Sequence, residues 1–271
     1  MDLNLIKDIY KLHIKAFEGL DFNVIRKNNY EITYNKNISD CYSNFISHFD
    51  VTNPEELNNI IKQGCETFNT INRNTTIYLI PYMQNLYTNR DKFLSDFELI
   101  STEVWQTFTD FDKLDSIESN CNLQVTLELT TDMEAYADAV MKSYQSGEKD
   151  DPYGNLDDGY RQGYINYKPL YDDFKNEFYF IKVNDEIIGT TQSVYNNNLY
   201  GIYSLAIKTN YRGQGIGKEV IKKQLQMCKN KNINTAYLQT EQYFYPSKMY
   251  RKIGFKDLCE VYYYSYKQKE R

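Results

Sequence analysis

Hydrophobic residues in the first half of the chain alternate between the spacing of a helix and the spacing of a strand. Helical spacing predicts helices at residues 3–18, 54–68 and 83–95, and strand-like runs predict strands at 30–34, 75–81, 97–100 and 104–108. Asn53 and Pro54 stand at the start of the second helix, where a capping asparagine followed by a proline is typical. The spacing in this half therefore predicts a mixture of helices and strands.

In the second half, turn residues separate the elements more clearly. The pattern predicts strands at residues 123–129, 178–183, 187–195, 200–207, 235–240 and 261–266, and helices at 130–144, 159–171, 215–230 and 247–252. Residues 110–122 are polar, so we place a domain boundary there and predict domains at 1–118 and 119–271. The last strand, 261–266, could lie exposed at the edge of a sheet.

Composition excludes several classes of protein. The chain has 271 residues, of which 41% are hydrophobic and 25% are charged, and its net charge is −6. No basic run could replace the counterions of a nucleic acid, so no nucleic-acid partner is expected. No apolar run reaches the length of a membrane span, and the start lacks a secretion signal. We therefore expect a protein with no membrane partner.

The few cysteines and histidines limit the chemistry further. The chain has five cysteines, an odd number, and they are widely scattered, which is typical of reduced thiols in a cytoplasmic protein. With His13 and His48 as the only imidazoles, neither a zinc site nor a Ser/His/Asp triad is expected. His13 lies in an amphipathic helical stretch and is interpreted as a packing residue.

One segment carries a specific chemical signal. Residues 205–218 run from a strand, through a turn with Gly213, Gly215 and Gly217, into an amphipathic helix. Such a turn exposes consecutive backbone N–H groups and directs a helix N-terminus at one point, an arrangement that holds phosphate or pyrophosphate. Glycines allow the backbone to approach the ligand closely.

Two common phosphate-binding motifs do not fit this turn. A dinucleotide-binding fingerprint requires a third glycine where this chain has Lys218. A Walker loop requires serine or threonine after Gly217-Lys218, where Glu219 stands, and a glycine at the position of Arg212.

The turn resembles a motif of the GNAT (Gcn5-related N-acetyltransferase) superfamily. Residues 212–217, Arg-Gly-Gln-Gly-Ile-Gly, match its Arg/Gln-x-x-Gly-x-Gly/Ala pattern, and residues 249–255, Met-Tyr-Arg-Lys-Ile-Gly-Phe, resemble its Leu-Tyr-x-x-x-Gly-Phe ending. The resemblance implies an α/β (α+β) fold with a central, strongly twisted sheet flanked by helices. Because the first half has a similar order of elements, we predict two tandem GNAT-like lobes, the first of them degenerate.

The resemblance also implies roles for individual residues. Acetyl-CoA would be the co-substrate, the amides of the turn would hold its pyrophosphate, and the preceding strand would pair with its pantetheine arm and supply an oxyanion donor. Tyr250 would protonate the leaving thiolate, which suits a phenol with a pKa of about 10 against about 8.5 for a thiol. The donor-binding residues implied are Leu205, Ala206, Ile207, Arg212, Gly213, Gln214, Gly215, Ile216, Gly217 and Lys218.

The chain departs from the family pattern at two places. Many GNAT enzymes have a glutamate on the strand before the glycine turn, but residues 200–205 contain no carboxylate. Glu241, at the end of the next strand, is the nearest substitute and could act as a base through a water, although an ordinary exposed glutamate is an equally open interpretation. Tyr243 stands where many relatives have an asparagine, and Ser247 could contact CoA instead.

The acidic loop at residues 150–156 lies where this fold usually covers the acceptor. Asp151 could hold an ammonium group, with Tyr153 or Tyr160 beside it, although acidic loops are often only solvated. We therefore predict transfer of acetyl to a primary amine of a small molecule, amino acid or peptide by direct attack in a ternary complex, without a metal, in a monomer or homodimer. A non-catalytic acyl-CoA-binding module, another acyl donor, and aminoacyl transfer from tRNA are the alternatives.

Overall fold

A computed structural model of the protein describes residues 1–144 and 155–266. The helices are α1 (Leu3–Gly19), α2 (Pro54–Thr70), α3 (Gln84–Thr88), α4 (Arg90–Phe93), α5 (Met133–Ser143), α6 (Asp158–Ile165), α7 (Ile216–Asn230) and α8 (Tyr245–Ile253). The strands are β1 (Asn23–Arg26), β2 (Glu31–Tyr34), β3 (Phe45–Ser47), β4 (Thr76–Leu79), β5 (Phe97–Phe108), β6 (Val125–Thr130), β7 (Lys175–Val183), β8 (Glu186–Tyr195), β9 (Tyr200–Ile207), β10 (Ala236–Glu241) and β11 (Lys256–Tyr266).

The fold is mixed α/β, and all of these strands belong to one sheet. Its order is β1-β2-β3-β4-β11-β5-β10-β9-β8-β7-β6. The pairing is antiparallel except between β3 and β4 and between β9 and β10, which are parallel. The prediction of a large mixed sheet flanked by helices is confirmed.

The two halves of the chain exchange strands at the middle of this sheet. Strand β5, from the first half, pairs with β10 on one side and with β11 on the other, and β11 also pairs with β4. The prediction of an exposed edge strand at residues 261–266 is therefore wrong. Both edges of β11 are paired, and Val261 and Tyr263 are buried. The division of the chain near residue 118 stays a prediction.

Local sequence signals explain where helices begin. The Asn53 side chain accepts a hydrogen bond from the N–H of Glu56 at 3.0 Å, and the Glu56 carboxylate accepts one from the N–H of Thr52 at 2.7 Å. Reciprocal bonds of this kind satisfy N–H groups that the first turn of a helix leaves unpaired. The predicted start of α2 at Pro54 is confirmed.

Hydrophobic spacing did not predict the strands correctly where they are short or where they carry polar residues into the core. Strands β1 and β3, of four and three residues, were not predicted. The runs 97–100 and 104–108 form one strand, β5, because Ser101 and Glu103 between them are buried. Helix α6 ends at Ile165 instead of continuing to residue 171.

Two hydrophobic clusters cover opposite faces of the sheet. Tyr237 and Trp105 pack into a cluster with α1 and α2, while Leu238 packs into a cluster with α7 and α8. Adjacent residues of a strand point to opposite faces, so α1 and α8 lie on opposite sides of β10. We call these the α1 face and the α8 face. No helix within the described ranges is long and apolar enough to cross a membrane.

Candidate active site

The glycine turn takes a conformation that few other residues could adopt. Gly213 and Gly215 have φ of +74° and +79°, and α7 begins directly after them. Left-handed backbone of this kind costs a residue with a Cβ about 1 kcal/mol or more. The Arg212 guanidinium donates to the carbonyls of Ile207 at 2.7 Å and Ser143 at 3.1 Å. Arg212 thus ties the turn to the end of β9 and to the end of α5.

The turn presents a row of unpaired backbone donors. In the part of the chain that the structure describes, the N–H groups of residues 213–218 have no hydrogen-bond partner, whereas Arg212 N–H donates to Thr209 and Glu219 N–H to Gly215. A Cβ at Gly213 would meet nothing within 4 Å, so the space over the turn is open. Free amides at the start of a 15-residue helix fit a pyrophosphate.

Strand β9 is bent beside this turn. Its pairing with β8 shifts register between Thr190 and Gln192, which leaves an extra residue in β9, and Ser204 there has φ of +49°. A bulge of this kind bends a strand and changes the direction in which its side chains point. Strand β10 pairs with β9 at only two positions, the last being Gly201 opposite Tyr237. Beyond this point the two strands diverge and leave a gap between them.

A cavity of about 480 Å³ occupies this gap. Its wall includes the glycine turn, residues 203–207 of β9 and residues 238–240 of β10. Met249 and Tyr250 line it from the α8 face, and His13 and Phe17 line it from the α1 face. The cavity therefore passes through the sheet and connects its two faces.

Tyr250 has the properties of an available proton donor. Its ring packs 6.0 Å from Phe255, and its side chain lines the cavity. Its hydroxyl has no hydrogen-bond partner among residues 1–144 and 155–266. Burial, followed by the nearby Tyr245, raises the pKa of Tyr250 above its ordinary value of 10.0, so the hydroxyl stays protonated at neutral pH.

The structure brings most of the predicted site residues to one cavity. Gln214 does not line it, although its N–H lies in the row of free donors. Asp151 and Tyr153 lie outside the described residues. The predicted residues that line the cavity are Tyr160, Leu205, Ala206, Ile207, Arg212, Gly213, Gly215, Ile216, Gly217, Lys218 and Tyr250.

Tyr160 lines the cavity, and its hydroxyl is already hydrogen-bonded. The hydroxyl donates to Asp40 at 2.7 Å and lies 2.8 Å from the Ser43 hydroxyl. Burial, followed by Asp40, raises the pKa of Tyr160. Its ring lines the cavity, so this tyrosine presents an apolar surface there.

Ser247 and Glu241 do not line the cavity. Ser247 is fully buried, and its hydroxyl bonds to the carbonyls of Gln242 at 2.7 Å and Phe244 at 2.9 Å. The predicted contact between Ser247 and CoA therefore has no geometric support, because the hydroxyl holds the loop before α8. The Glu241 carboxylate accepts hydrogen bonds from Tyr42 and Ser101, each at 2.5 Å.

One carboxylate at the cavity was not predicted from the sequence. Glu103 stands directly opposite Glu241 in the β5–β10 pairing, lines the cavity and is 3% exposed. Burial, followed by repulsion from Glu241 and opposed by a hydrogen bond from Tyr263, raises the pKa of Glu103 to about 8. The only sequence signal was a polar Ser-Thr-Glu interval between two apolar runs.

This raised pKa predicts that Glu103 weakens the fold as pH rises. Between the ordinary value of 4.5 and about 8, the folded protein holds a proton that the unfolded chain has lost. The free energy of unfolding should therefore fall as the pH rises through this window.

We expect Glu103→Gln to gain stability over the wild type by about 2 to 4 kcal/mol between pH 5 and pH 8.5, measured by chemical denaturation. Glu98→Gln, on the exposed part of β5, is the control. A constant difference between Glu103→Gln and wild type would contradict the assignment.

Known proteins share this fold. Residues 134–255 match the model of the acetyltransferase (GNAT) family. No curated protein matches the chain. A conserved protein of unknown function from Staphylococcus epidermidis has 14% identity and a TM-score of 0.65, covering 92% of this chain and 96% of that one.

Two further structures carry the family's name. A GCN5-related N-acetyltransferase from Kribbella flavida has 11% identity and a TM-score of 0.62, covering 95% of this chain and 96% of that one. A tandem GNAT protein from the clavulanic acid biosynthesis pathway has 9% identity and a TM-score of 0.56, covering 91% and 83%. Residues 134–255 therefore match the acetyltransferase (GNAT) family, and the fold of the chain is that of the GNAT proteins to which it is similar.

Proposed function

We propose that the protein is an acetyl-CoA-dependent N-acetyltransferase that acetylates a primary amine of a small molecule, amino acid or peptide. One observation carries this proposal: the free amides of the glycine turn and the unpartnered hydroxyl of Tyr250 open into the same cavity. The free amides support binding of an anionic acyl donor, and the Tyr250 hydroxyl supports protonation of the leaving group. The two groups together match the needs of acyl transfer from a thioester.

The elements around the cavity support a fixed position for the donor. The amides of residues 213–218 would bind the pyrophosphate, and the open edge of β9 at Leu205, Ala206 and Ile207 would pair with the extended pantetheine arm. An amide of this edge would also donate to the oxygen of the carbonyl under attack. Acetyl-CoA itself supplies the activated acyl group.

Proton transfer completes the reaction. The ammonium loses one proton to a base, its nitrogen bonds to the carbonyl carbon, and the carbon–sulfur bond breaks. Tyr250 gives its proton to the sulfur and regains one from the new amide nitrogen, so the net reaction releases one proton. Glu241, acting through a water, remains the base proposed from sequence, although its carboxylate already accepts from Tyr42 and Ser101.

Calorimetric titration with acetyl-CoA tests this proposal. We expect one site per chain in the wild type. Gly213→Asp should weaken binding by at least about tenfold, because a carboxylate would lie beside the pyrophosphate.

Gly213→Asn is the matched control. Asparagine has the shape of aspartate, tolerates left-handed backbone and carries no charge. Binding of the Asn variant should therefore exceed that of the Asp variant clearly. Absence of binding to the wild type, or equal loss in both variants, would contradict the proposed donor site.

A further inference from the structure

Two buried polar groups on the α1 face point to what the cavity accepts. Glu103 and His13 both line it, and each is 3% exposed. Within the described residues, Oε2 of Glu103 and Nε2 of His13 have no hydrogen-bond partner. Buried polar atoms are nearly always paired, so two orphaned atoms in one cavity wall indicate that a ligand supplies their partners.

Among residues 1–144 and 155–266, no positive charge faces Glu103. The ionisable groups facing it come from the loop before β3, from β4, β9, β10 and β11, and none of them is a cation. They are Cys41, Tyr42, Tyr78, Tyr203, Glu241 and Tyr263. A buried carboxylate without a countercharge is costly, whereas a ligand cation would compensate it.

His13 presents a lone pair on the same face. Burial lowers the pKa of His13 to about 3, so its ring is neutral. The Tyr203 hydroxyl lies 3.2 Å from Nδ1 and donates onward to Tyr237 at 3.4 Å. Nδ1 is then the donor to Tyr203, and Nε2 is left as an acceptor. An acceptor in the same cavity wall as a carboxylate suits a group with several N–H donors.

Aromatic side chains surround these two acceptors. Phe17, Tyr42, Tyr160, Tyr164 and Tyr203 line the cavity near the α1 face. The hydroxyl of Tyr160 is bonded to Asp40, so the ring of Tyr160 forms its part of the cavity wall. An apolar or aromatic body would therefore fill the space around the charged group.

From these contacts we propose that Glu103, together with His13, receives the ammonium group of the acceptor, and that the acceptor is a compact primary ammonium compound with an apolar body. This rests on the proposed N-acetyltransferase function. The donor turn lies on the opposite side of the gap, so the amine reaches the acyl carbon through the sheet. In this arrangement Glu103, which lines the cavity, takes the proton that the ammonium must lose in place of Glu241, which does not, and releases it to solvent after transfer.

Calorimetry with simple amines tests this site on the intact protein. The probes are 2-phenylethylamine and hexylamine, and their neutral counterparts are 2-phenylethanol and hexan-1-ol. At pH 7 free Glu103 is mostly protonated, so binding of an ammonium should release close to one proton. Titrations in buffers of different ionisation enthalpy measure that release.

The variants separate this role from a structural one. Glu103→Gln should weaken amine binding by at least about tenfold and abolish proton release, while Glu98→Gln should match the wild type. Equal affinity for amines and alcohols, proton release that persists in Glu103→Gln, or no binding of either amine would overturn the proposal.

Acetyl-CoA titrated into the same samples separates the two proposals. Amine binding with proton release but without acetyl-CoA binding would contradict only the transferase function. Acetyl-CoA binding with any of the three contrary amine results would contradict only the Glu103 site.

Discussion

Replacing Tyr250 by phenylalanine should lower kcat for acetyl transfer by about 10²- to 10⁴-fold, which is the usual contribution of a positioned general acid. Tyr250 lines the cavity, its hydroxyl makes no hydrogen bond within the described ranges, and the hydroxyl stays protonated because burial raises its pKa. Phenylalanine keeps the ring that packs against Phe255. The dissociation constant for acetyl-CoA should therefore stay within about twofold of the wild-type value, since no contact that binds acetyl-CoA is lost. Steady-state kinetics and calorimetry measure the two quantities.

Tyr243→Phe is the matched control for this loss. Tyr243 is 80% exposed and does not line the cavity, so its hydroxyl should not matter for turnover. Full activity of Tyr250→Phe would contradict the prediction and show that another group protonates the leaving thiolate. A wild type that binds acetyl-CoA but acetylates no amine would favour the alternative of a non-catalytic acyl-CoA-binding module.

The glycine turn and the helix after it could be predicted because their signal is local. Gly213, Gly215 and the helix after them lie within a few residues, and left-handed backbone before a helix restricts residue choice strongly. The chain therefore carries this information in one short segment. The same is true of α2, whose start depends only on Asn53, Pro54 and Glu56.

The part of the cavity wall that contains Glu103 and His13 could not be predicted because these residues come from distant segments. Glu103 reaches the cavity only because β5 lies between β10 and β11, and this strand exchange depends on pairings across the whole chain. Periodicity separates buried from exposed positions but does not assign partners to a strand. A glutamate between two apolar runs was consequently interpreted as a break between strands, and His13 as a packing residue.

Replacing Gly189 by alanine should destabilise the fold most strongly among the single substitutions considered. Gly189 lies in β8, paired with Ile181 on one side and Ile207 on the other. A Cβ there would lie 2.2 Å from the Ala206 carbonyl oxygen and 3.1 Å from Ile207 Cα. Both are backbone atoms of a strand, so relief requires β8 and β9 to separate. We expect a loss of about 3 to 5 kcal/mol and a fall in Tm of roughly 10 °C, measured by thermal unfolding.

Gly217→Ala tests whether this effect depends on the contact or simply on losing a glycine. A Cβ at Gly217 would have its nearest neighbours at 3.8 Å, an ordinary contact, and alanine favours the first turn of α7. Its Tm should therefore equal or slightly exceed that of the wild type. Because Ala206 and Ile207 form the open edge of β9, folded Gly189→Ala should also lose affinity for acetyl-CoA. An unchanged Tm in Gly189→Ala would show that β8 and β9 do not approach each other as closely as the structure has them.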